Sequence, residues 1–326
     1  MKNCYRALLV FLIGFTFVLS ADAGVRYVKP GSSSSAWEGK SPLYSSITEA
    51  ISAAQPGDEI WVAEGVYKPT GSTDRSISFV LKEGVALYGG FKGNESSREE
   101  RDPYTNETIL SGNIGDQSSS GDNSHSVVKA DGTSSLITEA TVLDGFIIED
   151  GKTLTPDVGA GLHLVKASPR VVNVWFRRNN AAMGGGVYGD ASSDAVFANV
   201  IFSDNSSSSA GAGVYARGAM KFYHCLWYNN VNTVEYSTAS LSDKSSIYNS
   251  IIWGNAEQSG KPVVVAASVS YSIVQGGYEG TGNLDTDPLL HNPGASDFRL
   301  NDGSPAINAG SNGLVPTWLI SDFAGN

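Results

Sequence analysis

Cysteine is nearly absent from this chain of 326 residues: there are two, Cys4 and Cys225. Cys4 precedes an apolar stretch that reads as a cleaved leader. That leaves Cys225 alone and excludes an intrachain disulfide, although export would permit one. Cys225 falls in a column of inward-facing positions, so it reads as a small buried hydrophobe and not as a nucleophile. Histidine is also scarce, with four residues. His163 and His224 have no second ligand at metal spacing, which excludes a zinc pattern. Asp285 and Asp287 fall short of the roughly six oxygens that calcium takes, so they read as an Asp-Pro turn. No metal and no cofactor is expected. Positive charge is short too: 22 Lys and Arg stand against 33 Asp and Glu, a net charge of −11. That deficit argues against nucleic acid and against an anionic membrane surface as partners.

Long apolar runs are missing everywhere except at the N-terminus. There Lys2 and Arg6 give a positive start, Ala7 to Leu19 an apolar core, and Ala21-Asp-Ala23 a small-residue cleavage site. Residues 1–23 read as a secretory signal peptide, too short in its apolar run to span a bilayer comfortably. The mature chain is expected to begin near Gly24, with no membrane span of its own.

What is present is a repeat. Between residues 159 and 255 one pattern is written four times at a spacing of 25 to 27 residues. Each copy passes from a glycine-rich opening, through a strand ending in asparagine, to an anchor followed three positions later by a second asparagine. The anchors are Phe176, Phe202, Trp227 and Ile252, and the closing residues are Asn179, Asn205, Asn230 and Asn255. A unit this short cannot bury its own apolar face, whereas stacked copies can. Aligning the copies puts Val171, Phe197, Phe222 and Ile247 in one column and Val174, Val200, Cys225 and Ser250 in the next. Between them stand Asn173, Asn199, His224 and Asn249. A column of asparagine marks a sharp bend, because asparagine tolerates left-handed backbone and bonds its own chain. Stacked asparagines can also bond one another as a ladder. The β-branched and aromatic content, the period-2 patches and the glycines disfavour helix. The fold class is all-β: a right-handed, single-stranded parallel β-helix.

Outside the repeat, Val25 to Val28 begin the first strand. Ser46-Ile-Thr-Glu49 is a capping box, with Ile47, Ala50, Ile51 and Ala54 at i, i+3, i+4 and i+7 and a stop at Gln55-Pro-Gly57. This short α-helix is expected to cover the open N-terminal end of the solenoid. Residues 24–91 therefore read as cap and early rungs, and 92–123 as an inserted polar loop. Residues 124–283 read as regular rungs, and 284–326 as a wrapping segment that breaks off at Phe323-Ala-Gly-Asn326.

The Gly-Gly/Ala-Gly-Val openings with F-x-x-N exits resemble the repeats of polymorphic outer-membrane proteins. Together with Tyr88-Gly-Gly-Phe91, Val142-Leu-Asp-Gly-Phe146, Gly303-Ser-Pro-Ala-Ile-Asn-Ala-Gly310 and Asp322-Phe-Ala-Gly-Asn326, they resemble secreted β-helix surface proteins of Gram-negative bacteria in the pectin-lyase-like superfold. The last two stretches are similar to a "choice-of-anchor Q" segment. The resemblance implies a secreted protein, extracellular or on the outer cell surface, and is silent about activity. Enzymes of this superfold work with a basic residue and calcium, or with clustered aspartates. Asp150, Asp190, Asp194 and Asp204 are scattered among loops and form no such cluster. Arg178 and Asp204, one rung apart, read as an exposed ion pair.

Two outward columns stand out. His163, Tyr188 and Tyr215 follow the inward Leu162, Val187 and Val214, and would stack as a ladder of rings that offers a glycan platform. Trp175, Ile201, Leu226 and Ile251 precede the anchors and form an apolar outer stripe that something must cover. The expectation is that the C-terminal segment, through Leu314, Val315, Trp318 or Leu319, folds over it, with a docked partner as the rival. The function read from this is an adhesin-like or glycan-contacting scaffold without catalysis, its partner an extracellular glycan or a host or cell-surface protein. The alternatives are a polysaccharide lyase or glycoside hydrolase, and a spacer that displays loop 92–123.

Overall fold

The computed structural model describes residues 23–31, 35–153, 158–233, 238–256 and 264–319. The leader with Cys4, and the terminal Phe323-Ala-Gly-Asn326, lie outside the described residues.

One rung shows how the chain winds. Leu162–Val165 leads to Arg170–Val172, a bend to Trp175–Arg177, and a second bend to Asn180–Met183. Glycines then carry the chain into Val187–Gly189, where the next turn begins. Each strand pairs in parallel with its equivalent one rung on: Leu162 with Val187, Val171 with Phe197, Phe176 with Phe202 and Asn180 with Ser206. Stacking makes a fifteen-stranded sheet, an eight-stranded sheet and a three-stranded sheet, all parallel among the described residues. Two faces of the solenoid merge in the fifteen-stranded sheet through Ala239–Tyr248, which pairs with both Val214–Ala216 and Lys221–Tyr223. This is the parallel β-helix that the repeat implies.

The interior is the set of like-on-like columns. Val171, Phe197, Phe222 and Ile247 are fully buried, as are Phe176, Phe202, Trp227 and Ile252. Neighbouring rings stack: Phe176 and Phe202 lie 5.4 Å apart at 6°, and Phe202 and Trp227 4.9 Å apart at 21°. Each ring so buried contributes roughly 1.5–3 kcal/mol by area. Trp227 fills its place at a cost, since its buried indole N–H has no acceptor among the described residues.

Tight bends need left-handed backbone, and the sequence supplies residues that tolerate it. Asn173, Asn199, His224 and Asn249 have φ of 50, 54, 52 and 51°. At the second bend Arg178, Asp204 and Asn229 take φ of 55, 56 and 51°, each followed by a closing asparagine. Those asparagines form a buried amide ladder. Asn205 Oδ1 accepts from the main-chain N–H (3.1 Å) and the side-chain amide (3.1 Å) of Asn179. Asn205 Nδ2 donates to Phe176 O (2.9 Å) and to Asn230 Oδ1 (3.0 Å). Asn230 repeats the pattern with Asn255.

The helix forms at Ile47–Ala53, with the Ser46 hydroxyl accepting from the Glu49 N–H and Ile47, Ala50 and Ile51 buried in the core. Residues 92–123 are not a simple inserted loop. Thr108–Ser111 is a strand between Gly65–Tyr67 and Ile147–Glu149, with Leu110 fully buried. The four-residue run is hidden in the sequence by its polar surroundings. Arg178 pairs backward with Asp150 (3.0 Å) and Glu149 (2.9 Å), and not forward with Asp204, whose carboxylate accepts from Asn229 (2.6 Å).

Asn205→Ala strands several buried polar groups, each worth about 1–3 kcal/mol. It should lower the urea midpoint sharply, whereas Trp227→Phe, which removes an N–H with no acceptor, should cost less than about 1.5 kcal/mol. Equal midpoints for the two variants in equilibrium unfolding would show that the ladder does not hold the rungs.

Candidate functional site

The eight-stranded sheet turns an apolar column outward. In register, rung by rung, it reads Val66, Ile109, Ile147, Trp175, Ile201, Leu226, Ile251 and Ile273. An uncovered stripe of this length would be costly in water. Much of it is covered: Ile147, Trp175, Leu226 and Ile273 are less than a tenth exposed. The Trp175 indole donates to Ser203 Oγ (2.9 Å), and the Arg177 guanidinium lies 4.6 Å over the Trp175 ring.

Over Trp175 the cover comes from an antiparallel hairpin, Leu290–Asn292 with Asp297–Leu300, and Ile273 is bridged by Leu284. Phe298 meets Trp175 edge-on at 5.7 Å and Tyr228 at 5.7 Å. The residues expected to do this, Leu314, Val315, Trp318 and Leu319, are placed differently. Leu319 packs with Val172, Val196, Ala198 and Tyr223 on the neighbouring face, and the Arg170 guanidinium lies 5.3 Å over the Trp318 ring. Leu314 is 36% exposed and Val315 is half-buried. The wrapping segment thus reaches two faces, and a hairpin invisible to periodicity meets the stripe at Trp175.

The hairpin does not lie flat on the sheet. It leaves a cleft of about 810 Å³. Ile147, Trp175 and Ile201 form one side of its floor, and the bend column Gly145, Asn173, Asn199 and His224 forms the other. Pro103, Tyr104 and Glu107 wall one end, and Ala295 to Leu300 wall the outside. Tyr104 is 55% exposed. The bend residues are fastened in sequence: Asn173 Nδ2 donates to Asp144 Oδ1 (3.0 Å), and Asn199 Nδ2 donates to Asn173 Oδ1 (3.1 Å). The Asn249 amide nitrogen lies 3.2 Å from His224 Nε2. Asn249 also ties the C-terminal segment down, accepting from Ser311 N (2.8 Å) and donating to Ser311 O (3.1 Å).

The guanidiniums around the cleft are paired. Arg177 holds Glu149 at 2.7 Å, Arg101 holds Asp144 at 2.7 Å, and Arg299 holds Asp297 at 2.6 Å with His291 Nδ1 at 3.0 Å. The Arg299 hydrogen bond keeps the Asp297 carboxyl well below the usual carboxylate range. Among the described residues, every carboxylate displaced from its ordinary range is displaced downward: Asp58, Asp74, Glu83, Glu99, Asp116, Asp131 and Asp297.

The ring ladder forms a separate strip on another face. His163, Tyr188 and Tyr215 are in register and half-buried. Tyr188 and Tyr215 stack at 5.6 Å and 4°, and His163 meets Tyr188 edge-on at 5.4 Å. Ring faces that would stack on a sugar are therefore turned toward one another. The strip offers water its edges and hydroxyls. Lys129 and the exposed Val80 continue the column toward the N-terminal end.

The sequence locates the ladder and the stripe by counting from the anchors. It does not locate Tyr104, Phe298 or the cleft between them, because neither residue belongs to the repeat. Among the described residues no group of three or more His, Cys, Asp or Glu could hold a metal ion, and no helix is long and apolar enough to cross a membrane.

Residues 31–284 match the model of a family described as "Protein of unknown function (DUF1565)". No curated protein matches the chain. Among solved structures it is similar to pectate lyase Pel9A, at 12% identity and a TM-score of 0.47, over 78% of this chain and 63% of that one. The chain therefore spans less than two thirds of that lyase. It is also similar to the pectin methylesterase from Aspergillus niger, at 16% identity and a TM-score of 0.40, over 81% of this chain and 84% of that one.

Cys225 offers a direct check on the interior. Burial pushes its thiol up to about 12. At neutral pH the native protein should leave a thiol reagent unreacted, and urea should release the reaction from Cys225. Rapid labelling of native protein would place Cys225 outside the core.

Proposed function

We propose, for a chain that belongs to the DUF1565 family of proteins of unknown function, that it is an exported β-helix scaffold contacting an extracellular carbohydrate through the cleft beneath its C-terminal hairpin, without catalysis. The composition of that cleft carries the reading. Tyr104, Trp175 and Phe298 converge on it from three separate parts of the chain, beside the amide-bearing bend of Asn173 and Asn199. An apolar concavity with a few placed polar groups is the usual form of a small-ligand site. Aromatic bodies with polar neighbours suit a sugar, whose C–H faces and hydroxyls need both.

The ionic state of the hairpin disfavours Asp297 as the acid of a glycosidase. Asp297, the carboxylate on the hairpin, is held ionised by Arg299. It is thus a poor proton donor, and a glycosidase needs one carboxyl held protonated. Export is supported by the leader-like start, with Lys2 and Arg6 before Ala7 to Leu19 and Ala21-Asp-Ala23. A place on the outer surface of a Gram-negative cell accords with the repeat's resemblance to surface β-helices. In this reading the His163–Tyr188–Tyr215 ladder stabilises the stack and leaves recognition to the cleft.

A glycan array, with released reducing and unsaturated ends measured on the same polysaccharides, tests this. Binding is expected without products. Losing one aromatic contact, by Tyr104→Ala or Phe298→Ala, should weaken it about tenfold, and Tyr188→Ala should not. Products would favour a lyase or hydrolase, and loss on Tyr188→Ala with retention on Phe298→Ala would move the contact to the ladder.

A further inference from the structure

The cleft beneath the hairpin is closed at both ends by segments that the chain ties down. Toward the C-terminal end Asn249 is clasped to the main chain of Ser311, accepting from its N–H (2.8 Å) and donating to its carbonyl (3.1 Å). Gly310 lies so close that a Cβ there would stand 3.2 Å from Asn249 Cγ. Asn249 and Gly310 line a smaller cavity beyond, of about 270 Å³, and the clasp shuts it off from the cleft. From this closure, and resting on the carbohydrate reading above, we infer that the cleft is a blind socket for the end of a glycan chain, which takes the last few sugars and excludes the interior of a polysaccharide.

The opposite wall is built as firmly. The main-chain N–H of Asp102 donates to Gly90 O (2.8 Å), and the Asn106 side-chain amide donates to the same carbonyl (3.3 Å). Asp102 Oδ1 accepts from the N–H groups of Tyr104 (3.0 Å) and Thr105 (3.1 Å), which folds residues 103–107 into one turn. Gly90, at a φ of 88°, makes room for that turn, since a Cβ there would fall 2.7 Å from Pro103 Cα. Neither wall is a loose side chain that a ligand can push aside. Threading a chain through either end breaks hydrogen bonds to the main chain and strands their partners, a larger penalty than one new hydroxyl bond offsets.

The floor between the walls sets the length. Gly145, Asn173, Asn199 and His224 hold the same bend on successive in-register rungs, and their three intervals of one strand spacing span roughly 14 Å. A pyranose in an extended chain advances by about as much as one spacing, so about three sugars fit. A chain end differs from an interior stretch by a hydroxyl that no glycosidic bond occupies. In a socket closed at both ends that hydroxyl faces a wall, whereas in an open groove the next sugar would take its place. Tyr104, 55% exposed on the wall of residues 103–107, offers a ring to the outermost sugar.

The test is a calorimetric titration of the full protein with cello-, xylo- and manno-oligosaccharides from disaccharide to hexasaccharide. A soluble polysaccharide of whichever series binds follows, intact and after partial cleavage by an endo-acting glycosidase. Affinity per mole of chain should climb to the trisaccharide and then hold within about twofold as far as the hexasaccharide. The polysaccharide should take up protein in proportion to its chain ends, so cleavage should raise its capacity in step with the new ends. Asn249→Gly removes the clasp while keeping a residue that adopts the left-handed bend, and it should let affinity climb about tenfold further between trisaccharide and hexasaccharide. A climb beyond the trisaccharide in the native protein, or a capacity that cleavage leaves unchanged, would overturn the blind socket while leaving the cleft as a carbohydrate site. A plateau that Asn249→Gly does not move would overturn the clasp as its end wall. Silence from every sugar and polymer would overturn both this inference and the carbohydrate reading it rests on.

Discussion

The structure depends on a column of buried amides. A parallel β-helix must reverse direction several times per rung, and each reversal leaves main-chain donors and acceptors that no strand can satisfy. At the bend after the anchors, Asn179, Asn205, Asn230 and Asn255 answer for them. Each carboxamide takes a donor from the rung before and gives one to a carbonyl of that rung, as Asn205 does with Asn179 N and Phe176 O. No other uncharged side chain of this size supplies donor and acceptor in one plane. Because the rungs are in register, one asparagine also satisfies the next, so the ladder sets the spacing as well as the turn. The apolar columns add the bulk of the stabilisation, yet they would tolerate a slip that the ladder forbids.

A solenoid of this kind solves its interior and leaves its exterior open. Neighbouring residues on a strand face opposite ways, so an anchor that points in forces its predecessor out. Where that predecessor is polar nothing follows. Here it is apolar on eight consecutive rungs, from Val66 to Ile273, and the chain spends its last part covering the result. The hairpin meets the stripe at Trp175 through Phe298, Leu319 takes the neighbouring face, and Asn249 fastens the segment at Ser311. The wrapping segment is thus a consequence of the repeat. The cleft is in turn a consequence of the wrapping, since a two-stranded hairpin standing on a few contacts cannot follow the sheet along its whole length.

This sequence of causes explains what could be read from the chain and what could not. The columns, the left-handed bends and the capping helix are each set by local chemistry, and four copies make local chemistry visible. Even the departures are informative: His224 stands in an asparagine column and takes its φ of 52° like the rest. The strand Thr108–Ser111 lacks this redundancy, because it occurs once and among polar residues. The direction of the Arg178 pair also escaped, since Asp150 and Asp204 flank it symmetrically in the repeat and only side-chain geometry selects between them. The cleft is the least legible feature. Its walls, Pro103 to Glu107 and Ala295 to Leu300, stand far apart in the chain, and nothing in either segment refers to the other.

The two aromatic surfaces of the molecule differ in what stacking leaves over. In the ladder, equivalent rings on successive rungs are brought close and parallel by the register itself, so Tyr188 and Tyr215 satisfy each other. A stack built by register stabilises the fold in proportion to how completely it hides its own faces. In the cleft, Trp175, Phe298 and Tyr104 belong to elements with no common register. Phe298 meets Trp175 at 85°, and Tyr104 beside them stands 55% exposed with no ring stacked on it among the described residues. Symmetry therefore consumes aromatic surface in the repeat, and the break in symmetry at the hairpin preserves it. On a solenoid, recognition by ring faces belongs where the repeat is interrupted.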